Sequence, residues 1–228
     1  MDRRARPEID RAHLARLLDV LANVGIRARE GVSVEEIAAA LTEDGAPALR
    51  EVAPGLMGRL AAFLGQREPR DVGRARAVDF EVLLATLGNE RCTEDFSPLP
   101  ALSADVAHLD AECVEDHGSY VTFVEHMAAL AGGIRLYDAV RDSVDVEAGH
   151  AFVEFVDGDE VSRVDLVVDN DWLDGRIIDV LADRLTRCSS GLRFAKHDLG
   201  QDFLVVCRTP KDIDALNQMT GLSFRIVG

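Results

Sequence analysis

Lysine is almost missing from this chain. Of 25 basic residues only Lys196 and Lys211 are lysines, so nearly every positive charge is a guanidinium. Between Cys92 and Asp183 there is no lysine at all, and four arginines face 22 Asp or Glu. A stretch so poor in cations repels phosphate backbones, which argues against nucleic acid as a partner, and steers cations toward itself. Residues 1–80 are charge-balanced and 184–228 are slightly basic, so the middle carries the net charge of −16.

Other absences narrow the class further. The four cysteines (Cys92, Cys113, Cys188, Cys207) lie far apart with no CxxC pair, which excludes a disulfide scaffold and predicts reduced, mostly buried thiols. No apolar run approaches the ~18 residues of a membrane span, and the charged start MDRRARPEIDRAHLARLL has no signal core. The expectation is a soluble, cytoplasmic protein of bacterial type with no membrane partner. No phosphate-cradling glycine loop, HExxH or GxSxG occurs. No catalytic residue, metal ligand or cofactor is assigned.

What is present reads as an α+β protein. The first part is helical: Pro7 suits a first turn, and Leu14, Leu17, Leu18, Leu21 and Val24 recur at helical spacing before Gly25. Ser33 with Glu36 forms a capping box ahead of Ile37 and Leu41, and Pro54 opens a third segment carrying Leu56, Leu60, Phe63 and Leu64. Residues 65–78, rich in Gly and Arg, read as a linker. Division falls there: 1–78 a helical N-terminal region, 79–228 an α+β domain. SVEEIAAAL resembles the first helix of a helix-turn-helix, but no basic recognition helix follows.

Beyond residue 79 the pattern predicts helices at 79–87 and from a Ser119 cap to about Leu130. At His150 the period changes to two. AFVEFV and VSRVDLVV form a hairpin around a four-residue DGDE loop, with Val156 opposite Val161 and Glu154 opposite Arg163. A helix at 173–186, strands at 192–196 and 203–208, a helix capped by Thr209-Pro210 and a last strand at LSFRIV complete the order ββαββαβ. This predicts an antiparallel or mixed sheet with helices packed on one face.

Acid density singles out two groups around the second strand. Glu154, Asp157, Asp159 and Glu160 occupy the hairpin, while Asp169, Asp171 and Asp174 surround Trp172, the sole tryptophan. A divalent-cation loop is one reading, but Leu173 stands at the third ligand position and no closing Glu follows. Helix capping by Asp171 or Asp174, with solvated neighbours, accounts for the same residue types. A docking surface is the third: an exposed tryptophan ringed by carboxylates that steer a basic partner protein. His108, Cys113 and His117 match no ligand spacing and read as a structural thiol with surface imidazoles, as does His197. The expected function is non-enzymatic binding, as an acidic immunity- or antitoxin-type inhibitor of a basic partner. The alternatives are a metal-dependent enzyme using residues 169–174 and a mimic of nucleic acid.

Overall fold

The computed structural model describes residues 9–44, 78–93, 95, 97–189 and 191–228. The segment opened by Pro54 and nearly all of the 65–78 linker, like Pro7, lie outside the described residues. Helices and antiparallel sheets together make an α+β protein.

Caps explain most helix starts. In α1 (Arg11–Ala22) the Asp10 carboxylate accepts the His13 amide at 2.9 Å. In α2 (Val34–Ala39), which ends in a π-helical turn (Ala40–Asp44), Ser33 Oγ accepts the Glu36 amide. The Glu36 carboxylate is drawn away to Arg91 at 3.0 Å instead of closing the box. Asp79 caps α3 (Phe80–Gly88) through the Val82 amide. These are local side-chain contacts, each holding an otherwise orphaned donor.

The next elements are β1 (Arg91–Cys92) and β2 (Pro98–Leu99), paired with each other, then β3 (Val106–Asp110) and α4 (Ser119–Leu130). Ser119 does not cap α4. Gly118 takes that position at φ +95°, and Ser119 Oγ turns back to accept the Glu115 and Asp116 amides. The amides of Gly118 and Val121 instead donate to Asp142 at 2.7 and 3.1 Å. Asp142 sits on β4 (Ala139–Asp145), so the acceptor comes from a strand rather than from the helix's own sequence.

The hairpin of β5 (His150–Asp157) and β6 (Glu160–Val167) has the register that the alternation predicts, including Val156 opposite Val161 and Glu154 opposite Arg163. Its loop is shorter than four residues, because Asp157 and Glu160 pair and leave Gly158-Asp159 to turn, with Gly158 at φ +62°. Glu154 bonds across the other side, to Arg141 of β4 at 2.5 Å. Arg163 binds Asp165 at 2.9 Å and stacks 3.7 Å from the Phe152 ring centroid.

After α5 (Arg176–Cys188) come β7 (Arg193–Asp198), β8 (Asp202–Arg208), α6 (Pro210–Thr220) and β9 (Arg225–Ile226). The strands divide between two main sheets: β3-β8-β7-β9 and β4-β5-β6. The central strand β8 is buried almost end to end and feeds two cores by alternation. Leu204 and Val206 pack with Leu14, Leu21 and Ile37 of the N-terminal helices, Leu83 of α3 and Leu216 of α6. Phe203, Val205 and Cys207 point the other way, onto Phe123 and Met127 of α4, Ile177 and Leu181 of α5, and the inner face of β4-β5-β6. Helices therefore cover both faces of the four-stranded sheet rather than one. Helices α4 and α5 lie between the two sheets, and the outer face of β4-β5-β6 has no helix on it among the described residues. No described helix is long and apolar enough to cross a membrane.

Among the described glycines the closest fit is at Gly88, where α3 meets β3. A Cβ there would lie 2.8 Å from the His108 nitrogen and 2.9 Å from the Ala107 carbonyl carbon. Backbone atoms cannot move aside as side chains do. Gly88→Ala should lower the stability of the protein by about 1–3 kcal/mol in equilibrium urea unfolding, as overpacking in a close-fitted core does. An unchanged midpoint would show that α3 and β3 separate freely.

Candidate functional site

Three segments converge at one end of the β4-β5-β6 sheet. The backbone of 111–114 binds that of 171–173: Leu173 N–H donates to Ala111 C=O at 2.7 Å and Val114 N–H to Asp171 C=O at 2.9 Å. Glu112 thereby opposes Trp172 in an isolated antiparallel bridge. The β4–β5 turn joins them, since Val168 N–H donates to Gly149 C=O at 3.0 Å. Val144 N–H donates to His117 Nδ1 at 2.8 Å, which fixes the third edge of the cluster.

These segments carry Glu112, Glu115, Asp116, Asp145, Glu147, Asp169 and Asp171, and residues 111–117, 144–149 and 168–173 contain no lysine or arginine. Trp172 is 39% exposed among them, and Val146 on the β4–β5 turn is equally exposed. Burial first, then the charges of Asp110, Asp171 and Glu115, push the Cys113 thiol up to about 11. Burial also raises Asp110, reinforced by Asp202 and Glu112. A thiol so placed stays protonated at neutral pH and is no nucleophile.

The residues singled out by sequence do not form one site. Asp169, Asp171 and Trp172 belong to this acidic end. Asp157, Asp159 and Glu160 stand at the hairpin tip, seven residues along β6 from Val167 or about 23 Å away. At the tip Asp157 is neutralised by Arg184 at 2.9 Å, while Asp159 and Glu160 are exposed. Glu154 is occupied by Arg141. The sequence reading did not assign Glu112, Glu115 and Asp116 to this end because β3 was not foreseen, nor Asp145 and Glu147 because β4, and hence the 145–149 turn, was not.

Asp174 has a structural task. Its carboxylate accepts the Val167 amide at 2.9 Å and the Arg176 amide at 3.0 Å, and it pairs with the Arg176 guanidinium at 2.5 Å. Its own N–H donates to Tyr120 Oη at 3.1 Å. Burial works against its ionisation, but the Arg176 side chain and the two amides outweigh burial and hold the carboxyl below its usual value. With Asp174 so engaged, residues 169–174 do not present three open carboxylates, and no group of three potential metal ligands occurs among the described residues.

Other candidates are structural. His108 lies buried on β3, 3.8 Å from the equally buried Asp202, and its Nε2 has no hydrogen-bond partner. His197, expected at the surface, is 13% exposed, packed against Phe224 and 3.5 Å from Glu81. All four cysteines are unpaired, but Cys92 and Cys188 are exposed rather than buried. A cleft of about 440 Å³ opens between the end of α4 and the start of α6. Its Arg208 is bound to Asp105 at 2.5 Å, and burial raises its Cys207 thiol to about 11, so it offers no free cation and no activated nucleophile.

Comparison with family models, with curated proteins and with solved structures returns no match to this chain. The geometry therefore stands by itself.

Replacing Asp174 with alanine strands two backbone donors and should cost about 1–3 kcal/mol at neutral pH. Its folded pKa is depressed, so its contribution is complete above the unfolded value of 3.8 and is lost as pH falls through the folded value. Denaturation of wild type and Asp174→Ala from pH 7 downward should show the gap narrowing. A gap that widens on acidification would contradict this role.

Proposed function

We propose that this is a non-enzymatic binding protein of the cytoplasm that docks its acidic end, around Trp172, onto a basic surface of a partner protein. The observation that carries this reading is the exposed tryptophan set among seven carboxylates with no lysine or arginine on the three segments that hold them. Tryptophan at the centre of a patch supplies the apolar contact, and the surrounding charge accelerates encounter and selects a cationic face. A cleft lined with arginine or lysine, such as an enzyme uses to hold an anionic substrate, is complementary to such a surface. Covering that cleft would inhibit the enzyme, in the manner of an immunity protein or antitoxin. Nucleic acid is disfavoured as a ligand, since its phosphates meet like charge. The four unpaired cysteines suit a reducing compartment.

Affinity capture from the source cell lysate at low and at moderate salt tests the proposal. Wild type should retain a basic protein, more strongly at low salt. Retention should disappear when Glu115, Asp145, Glu147, Asp169 and Asp171 are replaced by their amides. For the captured partner, Trp172→Ala should weaken binding by about 2 kcal/mol, roughly 30-fold. If no basic protein is retained at either salt, or if the amide variant retains the same protein equally, the proposal fails.

A further inference from the structure

Among the described residues no strand pairs with the outer edge of β6. Val168 N–H points to β5, where it meets Gly149 C=O, and Val167 N–H points the opposite way, to Asp174. Because amide direction alternates along a strand, the N–H and C=O groups of Val161, Arg163 and Asp165 face away from β5. These residues are exposed, and so is Ser162, although its side chain lies on the face that α5 covers. A shallow groove of about 170 Å³, lined by Ser162, Val164, Val180, Asp183, Arg184 and Arg187, runs between this edge and α5. An edge of this kind is a template for another strand.

The side chains say which strand. On the outer face β6 presents Val161, Arg163, Asp165 and Val167 in that order. Reversed, the order is valine, acid, base, valine. Two copies of β6 laid antiparallel about a two-fold axis at Val164 set each Arg163 opposite Asp165 of the second copy, and the pairing stops short of Val161 and Val167, because Asp174 already holds the outward Val167 amide. At 54% and 59% exposure, Val161 and Val167 are the most exposed large apolar residues described. Arg163 is held in place by the Phe152 ring and Asp165, so the charge pairs form with little side-chain ordering. The same register makes Arg163 and Asp165 mutually hydrogen-bonded pairs through outward backbone groups. It also leaves each Val167 amide with Asp174, which ends the ladder.

We propose that the β6 edge is a homodimer interface, at which two chains join their β4-β5-β6 sheets into one six-stranded antiparallel sheet. The contact is isologous and closes on itself, so it produces dimers and not fibres. It is separate from the acidic end, and it stands or falls independently of the basic partner.

Sedimentation equilibrium at about 0.15 M salt, where repulsion between the two acidic chains is screened beyond about 8 Å, is the test. Wild type should sediment as a dimer. Arg163→Asp alone and Asp165→Arg alone each place like charges opposite one another and should raise the dimer dissociation constant at least about tenfold. An equimolar mixture of the two variants restores only opposite-charge pairs and should recover the dimer. A merely structural role for these residues would not produce that recovery. In wild type, amide exchange at Arg163 and Asp165 should slow as protein concentration rises, a readout that needs no variant. Three results would overturn the proposal: a wild-type monomer throughout the micromolar to sub-millimolar range, a mixture of folded variants that stays monomeric, or exchange at both amides that ignores concentration.

Discussion

The two backbone hydrogen bonds between 111–114 and 171–173 decide where the charge of this protein goes. They join the end of β3, in the four-stranded sheet, to the chain leaving β6, in the three-stranded one. They add a direct backbone link to the packing of α4 and α5 and to the bonds that His117 and Asp142 make between residues 117–121 and β4. With them, Glu112, Glu115 and Asp116 are held beside Asp169 and Asp171, and the β4–β5 turn adds Asp145 and Glu147. The acids are distant in sequence and close in space because peptide groups, not side chains, bring them there. Those peptide groups are satisfied locally, so the arrangement costs no buried unpaired donor.

A net charge of −16 is a standing source of self-repulsion. The fold relieves it by employing many carboxylates as acceptors. Asp10 and Asp79 cap the helices that follow them, Asp142 caps α4 from a neighbouring strand, and Asp174 holds the start of α5 to the end of β6. Asp157, Glu154 and Asp105 each face an arginine. The acids of the Trp172 end have few such partners. Glu112 accepts from Gln201 at 2.6 Å, and Asp145 and Asp116 accept amides of their own turns. No arginine or lysine on the three segments that hold them offsets their charge.

Much of the fold was legible in the sequence where the deciding contact is local. Asp79, Ser33 and Thr209 announce their helices because each caps within three residues. The β5–β6 register follows from strict alternation and one glycine at the turn. Strands β3 and β4 were not legible. VAHLD is five residues long and mixes buried His108 with Asp110, while AVRDSVD buries only Val144, so neither displays a clean period of two. Ser119 misled for a related reason: the true acceptor for α4, Asp142, lies more than twenty residues away. Only part of the candidate cluster around Trp172 was legible. Composition located Trp172 and its adjacent acids, but it could not reveal that the hairpin tip points the other way or that the 145–149 turn completes the cluster.

On the proposed reading Trp172 stands in a concentrated negative potential, and as the only tryptophan it reports on that itself. Fluorescence quenching by caesium and by iodide, compared at low and at high ionic strength, measures it directly. At low ionic strength caesium should quench Trp172 more steeply than iodide, and the difference should close as salt is raised. Equal quenching by the two ions at low ionic strength, or stronger quenching by iodide, would contradict the account.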